Sequence, residues 1–121
     1  MIDLFTTGGT IEDLKYASES EKLTEASIGI AHFLEILNPQ KEIIVEKVMS
    51  RDSRFITDDD RLKLLSSIEN VSSDKIIATH GALTMIETAT FLAKQKLDKV
   101  IVLTGAFVFG SSNEICIRSK W

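Results

Sequence analysis

The chain contains a single cysteine, Cys116, so it can close no internal disulfide and can build no thiolate metal site by itself. With one proline and six glycines in 121 residues, collagen-like and Pro/Gly-rich low-complexity architectures are excluded. No run approaches the ~18 consecutive apolar residues of a membrane span, and Met1-Ile2-Asp3-Leu4-Phe5 lacks the basic-then-apolar order of a signal peptide. An unprocessed chain in a reducing cytoplasm, without membrane association, is therefore expected. Basic residues are not in excess either. Fourteen Lys+Arg stand against eighteen Asp+Glu, a net charge of −4 with no long run of one sign, so the basic stripe of a nucleic-acid binder is missing.

What is present reads as an ordinary globular domain, with 44% hydrophobic and 26% charged residues. A chain of this length fits one domain and buries roughly two-thirds of its unfolded surface, so the expected unit is a single domain over residues 1–121.

Along the chain, Ile2 to Thr6 is a short, partly β-branched run that stops at Gly8-Gly9, the pattern of a buried strand ending in a glycine turn. Residues 12–25, rich in Glu, Ser and Lys, read as an exposed loop. Ile30, Phe33, Leu34 and Leu37 then fall on one helical face, which Asn38-Pro39 ends. Ile43 to Met49 is the second strand. Thr57 precedes Asp58, Asp59 and Asp60, an N-cap with acids against the positive end of the helix dipole, and Leu62, Leu64, Leu65 and Ile68 follow. Asp74 to His80 is the third strand, Leu83 to Lys96 a helix that Thr84 is placed to cap, and Val100 to Leu103 the fourth strand.

Strands alternating with helices in this way predict an α/β fold: a three-layer sandwich with a four-stranded, mainly parallel, doubly wound sheet. By analogy with such sheets, the expected spatial order is second, first, third, fourth strand. Thr6-Thr7-Gly8-Gly9-Thr10, Thr79-His80-Gly81 and Thr104-Gly105 all fall at strand carboxyl ends, the edge where open α/β sheets bind ligands.

Each segment admits a structural and a chemical reading. The Gly8-Gly9 pair serves a tight turn, or it lets the backbone approach a ligand among three threonine hydroxyls able to bind or attack a carbonyl. Neither G-x-x-x-x-G-K-[ST] nor G-x-G-x-x-G spacing is met, which weighs against a phosphate loop. His80 serves the strand-to-helix turn or titrates there. A metal is not expected, because the other histidine, His32, sits on a predicted helix with no carboxylate cluster. Ser50-Arg51-Asp52-Ser53 is a solvated loop in which Asp52 pairs an arginine, or it presents a serine and an arginine to a small polar ligand.

Taken together these segments resemble the bacterial-type L-asparaginase family. Thr7-Gly8-Gly9-Thr10-Ile11 is similar to that family's first signature, and residues 79–89 are similar to its second, T-H-G-T-D-T-M-x-E-T-A. Val100-Ile101-Val102-Leu103-Thr104-Gly105-Ala106 resembles the strand and turn that follow. The resemblance implies the fold of the asparaginase N-terminal domain and hydrolysis of L-asparagine or a related small amide through an acyl-enzyme, without a cofactor. On this chain it puts the nucleophile at Thr10 and its helper at Tyr16, with substrate contacts at Gly9, Ser53, Arg54, His80, Gly81, Ala82 and Leu83. Ser53 would hold the α-carboxylate.

Several positions depart from the family pattern. Its second threonine and adjacent aspartate fall on Ala82 and Leu83, Phe55 replaces a polar loop residue, and no position matches the downstream catalytic lysine. Losing one preorganised polar group commonly costs ~10²- to 10³-fold in rate, so hydrolysis is expected to be very slow or absent. The alternative is an inert small-ligand or interaction module on the same fold. A homo-oligomer is expected from the family habit and from Phe107, Phe109 and Trp121, which would form an apolar patch. The carboxyl terminus leaves open a natural minimal form or a shortened product.

Overall fold

The computed structural model of the chain describes residues 1–9, 14–16, 23–26 and 30–105. A strand with large apolar residues on both faces needs cover on both, and β1 (Ile2–Thr6) sits at the interior of a sheet that supplies it. Leu4 points into a cluster with Ile30 and Leu34 of α1 (Ile30–Leu37). Phe5, fully buried, points the other way, against Leu64, Leu65 and Ile68 of α2 (Asp58–Asn70) and Leu92 of α3 (Met85–Lys94). One helix therefore lies on one side of the sheet and two on the other.

The sheet is four-stranded and wholly parallel, in the order β4 (Ile43–Lys47), β1, β5 (Lys75–Thr79), β6 (Val100–Thr104). This is the expected order, because the first crossover steps to one side of β1 and the second crosses back to the other. In register, Thr6 stands beside Lys47 and Thr79, and Thr79 beside Thr104. The carboxyl ends of all four strands consequently finish on one line.

The region predicted as a loop contains a small second sheet, β2 (Leu14–Tyr16) and β3 (Leu23–Ala26), paired antiparallel with an irregularity between Lys15 and Tyr16. Three- and four-residue strands are too short to show a hydrophobic period, so only the pairing reveals them. The helix expected to begin at Leu83 starts instead as a 3₁₀ turn (Ala82–Thr84) that leads into α3, and the second strand stops two residues before Met49. On α2 the buried residues are Arg61, Leu64, Leu65 and Ile68, spaced i, i+3, i+4, i+7, whereas Leu62 is 51% exposed. An arginine thus occupies a core position, while Leu62 beside it faces solvent.

Candidate functional site at the strand carboxyl edge

Backbone and side-chain hydrogen bonds lace the four strand-end turns together. After β1, the Thr6 carbonyl accepts from Val48 N–H at 2.9 Å and the Thr7 carbonyl from Arg51 N–H at 3.0 Å. The Thr7 hydroxyl, buried, donates to the Thr79 carbonyl at 2.5 Å, and His80 N–H donates to the Thr104 carbonyl at 2.8 Å. Thr7 is therefore committed to structure.

Gly9 takes φ +96°, and a Cβ built there would lie 2.9 Å from the Gly81 nitrogen. A Cβ on Gly81 would in turn lie 2.7 Å from the Ser53 Oγ, and one on Gly105 would strike the His80 carbonyl oxygen. Three loops meet where side chains would keep them apart. Two of the glycines read from sequence as a turn and a helix start are thus a contact between segments some seventy positions apart.

Ser53 opens a 3₁₀ turn (Ser53–Phe55) and is 2% exposed. Its carbonyl accepts from the Thr84 hydroxyl at 2.6 Å. Thr84 therefore ties the two 3₁₀ turns together and gives α3 no side-chain cap, contrary to the expectation from sequence. Arg54 is gripped by Asp52, which accepts from its Nε at 3.0 Å and its Nη2 at 2.8 Å, and its guanidinium lies 5.2 Å from the Phe55 ring centroid. Burial raises the Asp52 carboxyl, but the side-chain and backbone hydrogen bonds from Arg54 and its charge outweigh this and leave the pKa lowered. Asp52 pairs an arginine as expected, but its side chain is 12% exposed and Ser53 is buried, so this part of the segment is not a solvated loop. Arg51 pairs instead with Asp60 at 2.8 Å.

His80 is 1% exposed and turned inward. Its Nδ1 lies 2.6 Å from the Gly81 carbonyl and its Nε2 2.8 Å from the Thr88 hydroxyl, which also accepts from Arg61 Nε at 2.9 Å. Burial lowers the His80 pKa, with the Arg61 charge acting in the same sense and the Gly81 carbonyl and Glu87 opposing. Ala82 is exposed and Leu83 is 68% exposed, so both stand at the open side of this turn.

Gly9, Ser53, Gly81, Ala82 and Leu83 are thus brought to one edge, with Arg54 on the adjoining turn and His80 beneath it. Thr10 lies outside the described residues, and Tyr16 ends β2, where only the backbone is described. Among the described residues no three His, Cys, Asp or Glu side chains converge as metal ligands. Arg61 and Thr88 escaped the sequence reading. The signal for Arg61 was its phase with Leu64, Leu65 and Ile68.

A wholly parallel sheet covered by helices on both faces, with glycine turns meeting at its carboxyl edge, places the chain among the open α/β folds. Residues 1–114 match the family model described as the asparaginase N-terminal domain, and the chain belongs to that family. It is 32% identical over 111 residues to a probable periplasmic L-asparaginase of Haemophilus influenzae, and 32% identical over 112 residues to L-asparaginase 2 of Escherichia coli. Each alignment takes in 87% of this chain and 32% of the relative, so the chain spans about a third of the length of the curated relatives it matches. The crystal structure of a probable cytoplasmic L-asparaginase from Campylobacter jejuni superposes with a TM-score of 0.73 at 28% identity, over 93% of this chain and 36% of the other. The thermostable L-asparaginase from Thermococcus kodakarensis shares the fold, with a TM-score of 0.74 at 21% identity over 93% of this chain and 36% of the other.

Proposed function

We propose that the strand carboxyl edge binds L-asparagine or a related small amino-acid amide, and that the chain is an asparaginase-like amidohydrolase of reduced rate. The observation that carries this reading is the meeting of Gly9, Gly81 and Ser53, which brings three separate loops within one ligand's reach. In this reading Thr10 Oγ attacks the side-chain carbonyl carbon, with Tyr16 assisting. The C–N bond breaks, the nitrogen leaves as ammonia with the proton from the hydroxyl, and water cleaves the threonyl ester to release aspartate. Gly9, Ser53, Arg54, His80, Gly81, Ala82 and Leu83 form or line the substrate site, with Ser53 toward the α-carboxylate.

The reduced rate follows from residue chemistry. Ala82 has no hydroxyl to relay a proton, and Leu83 presents an exposed hydrocarbon where a carboxylate would attract an ammonium. The same two residues favour the second reading, an inert ligand-binding module. The proposed unit is one domain over 1–121 that self-associates in the cytoplasm without nucleic acid, membrane or cofactor.

The test is ammonia release from L-asparagine and L-glutamine by the wild type, by Thr10→Ala and by the pair Ala82→Thr with Leu83→Asp. The amidohydrolase reading predicts a trace rate abolished in Thr10→Ala and raised at least about 10²-fold in the double variant. A folded double variant no faster than Thr10→Ala would leave the inert module.

A further inference from the structure

The polar chain beneath the edge has two fixed ends, and with a neutral imidazole they set the direction of the protons between them. An arginine Nε–H is donor-only, so the Thr88 oxygen accepts from Arg61. A backbone carbonyl is acceptor-only, so His80 Nδ1 carries a proton and donates it to Gly81. Nε2 of a neutral ring is then an acceptor, and the Thr88 hydroxyl, having accepted once, gives its own proton to it. Arg61 is 9% exposed, Thr88 fully buried and His80 1% exposed, so no member is satisfied by open solvent. At the outer end Arg61 Nη1 meets the Asp58 carboxylate at 3.2 Å, and that side chain is 92% exposed.

The route runs from α2 through α3 to the turn after β5, and ends on the carbonyl of Gly81, the residue that meets both other loops. Gly81 packs against Gly9 on one side and Ser53 on the other. Because the peptide plane is rigid and trans, holding the Gly81 carbonyl against His80 turns the Ala82 N–H away from it.

We propose that Arg61, Thr88 and His80 are positioning residues, a buried relay that sets the orientation of the Gly81–Ala82 peptide at the ligand edge. The ligand half of this statement rests on the function proposed above. His80 acts on the ligand through Gly81, and Arg61 acts through Thr88 and His80.

The experiment uses the full chain with Thr88→Val, which keeps the shape and removes the hydroxyl, and Thr88→Ser, which keeps the hydroxyl. Two readouts are taken: the ¹⁵N resonances of the His80 ring with the backbone amides of Gly81 and Ala82, and the affinity for L-aspartate followed by thermal shift. In the wild type His80 shows a protonated Nδ1 and an unprotonated Nε2. Thr88→Val shifts the Nε2 resonance and the Gly81 and Ala82 amides, and weakens L-aspartate by about tenfold, the equivalent of one well-placed hydrogen bond. Thr88→Ser stays near the wild type in both readouts. The relay is overturned if wild-type His80 carries its proton on Nε2, if Thr88→Val leaves both amides in place, or if Thr88→Ser behaves as Thr88→Val. Should L-aspartate not bind the wild type at all, the function proposed above fails, while the ring and amide resonances still decide whether the relay orients the peptide.

Discussion

Gly9 couples two constraints, a φ of +96° and a Cβ position 2.9 Å from the Gly81 nitrogen. A side chain there strains its own backbone and pushes against another. Gly9→Ala is expected to lose more than ~1 kcal/mol and to lower the urea midpoint of unfolding; an unchanged midpoint would mean that the loops do not meet as described. That a glycine turn follows β1 was readable from sequence. That it presses on Gly81 was not, since a contact across so long a separation leaves no local pattern. His80 shows the same division. Its place at a turn was visible, while its lowered pKa comes first from burial, with the Arg61 charge on α2 acting in the same sense. With the folded pKa below the ordinary 6.5, the unfolded chain takes up the proton first as pH falls. Stability is therefore complete above about pH 6.5 and declines below it, until the folded state also protonates. Urea titrations should give a lower unfolding free energy at about pH 5.5 than at about pH 8, and His80→Gln should narrow that difference. A difference unchanged in His80→Gln would remove His80 as its source.

At the scale of elements, α2 is held at its start by a reciprocal pair. Asp60 N–H donates to the Thr57 hydroxyl at 3.2 Å, and Thr57 N–H donates to the Asp60 carboxylate at 2.9 Å. Thr57→Ala should cost about 1 kcal/mol and Thr57→Ser much less, measured as thermal midpoints; equal midpoints for wild type and Thr57→Ala would contradict the cap. This start was legible because the cap, the acids and the apolar positions are local. The buried face of α2 was less so. Counting only hydrocarbon side chains favours Leu62, whereas phase picks out Arg61, and an arginine is tolerated there because Thr88 and Asp58 satisfy it. β2 and β3 were missed for a different reason, being short, rich in polar residues and defined only by each other.

For the whole molecule, the sheet order was recoverable because strands alternating with helices admit few doubly wound arrangements. The surfaces of the outer strands were not. Val100 and Val102 on β6 are 65% and 49% exposed, and Ile44 on β4 is 45% exposed. Such faces fit the proposed self-association, and light scattering is expected to give at least twice the monomer mass; a monomer at every concentration would contradict it. Phe107, Phe109 and Trp121, the other apolar residues singled out for association, lie outside the described residues.

The most direct test of the account is an NMR titration of the isotope-labelled chain with L-aspartate. If the edge is the ligand site, the amides of Gly9, Ser53, Gly81 and Ala82 shift with one common saturation curve, while Val71, Ser73 and Lys99, joined to one another at the opposite end of the strands, hold still. Shifts gathered around Val71, Ser73 and Lys99, or no saturable shift at Gly81, would show that the carboxyl edge is not where this chain binds.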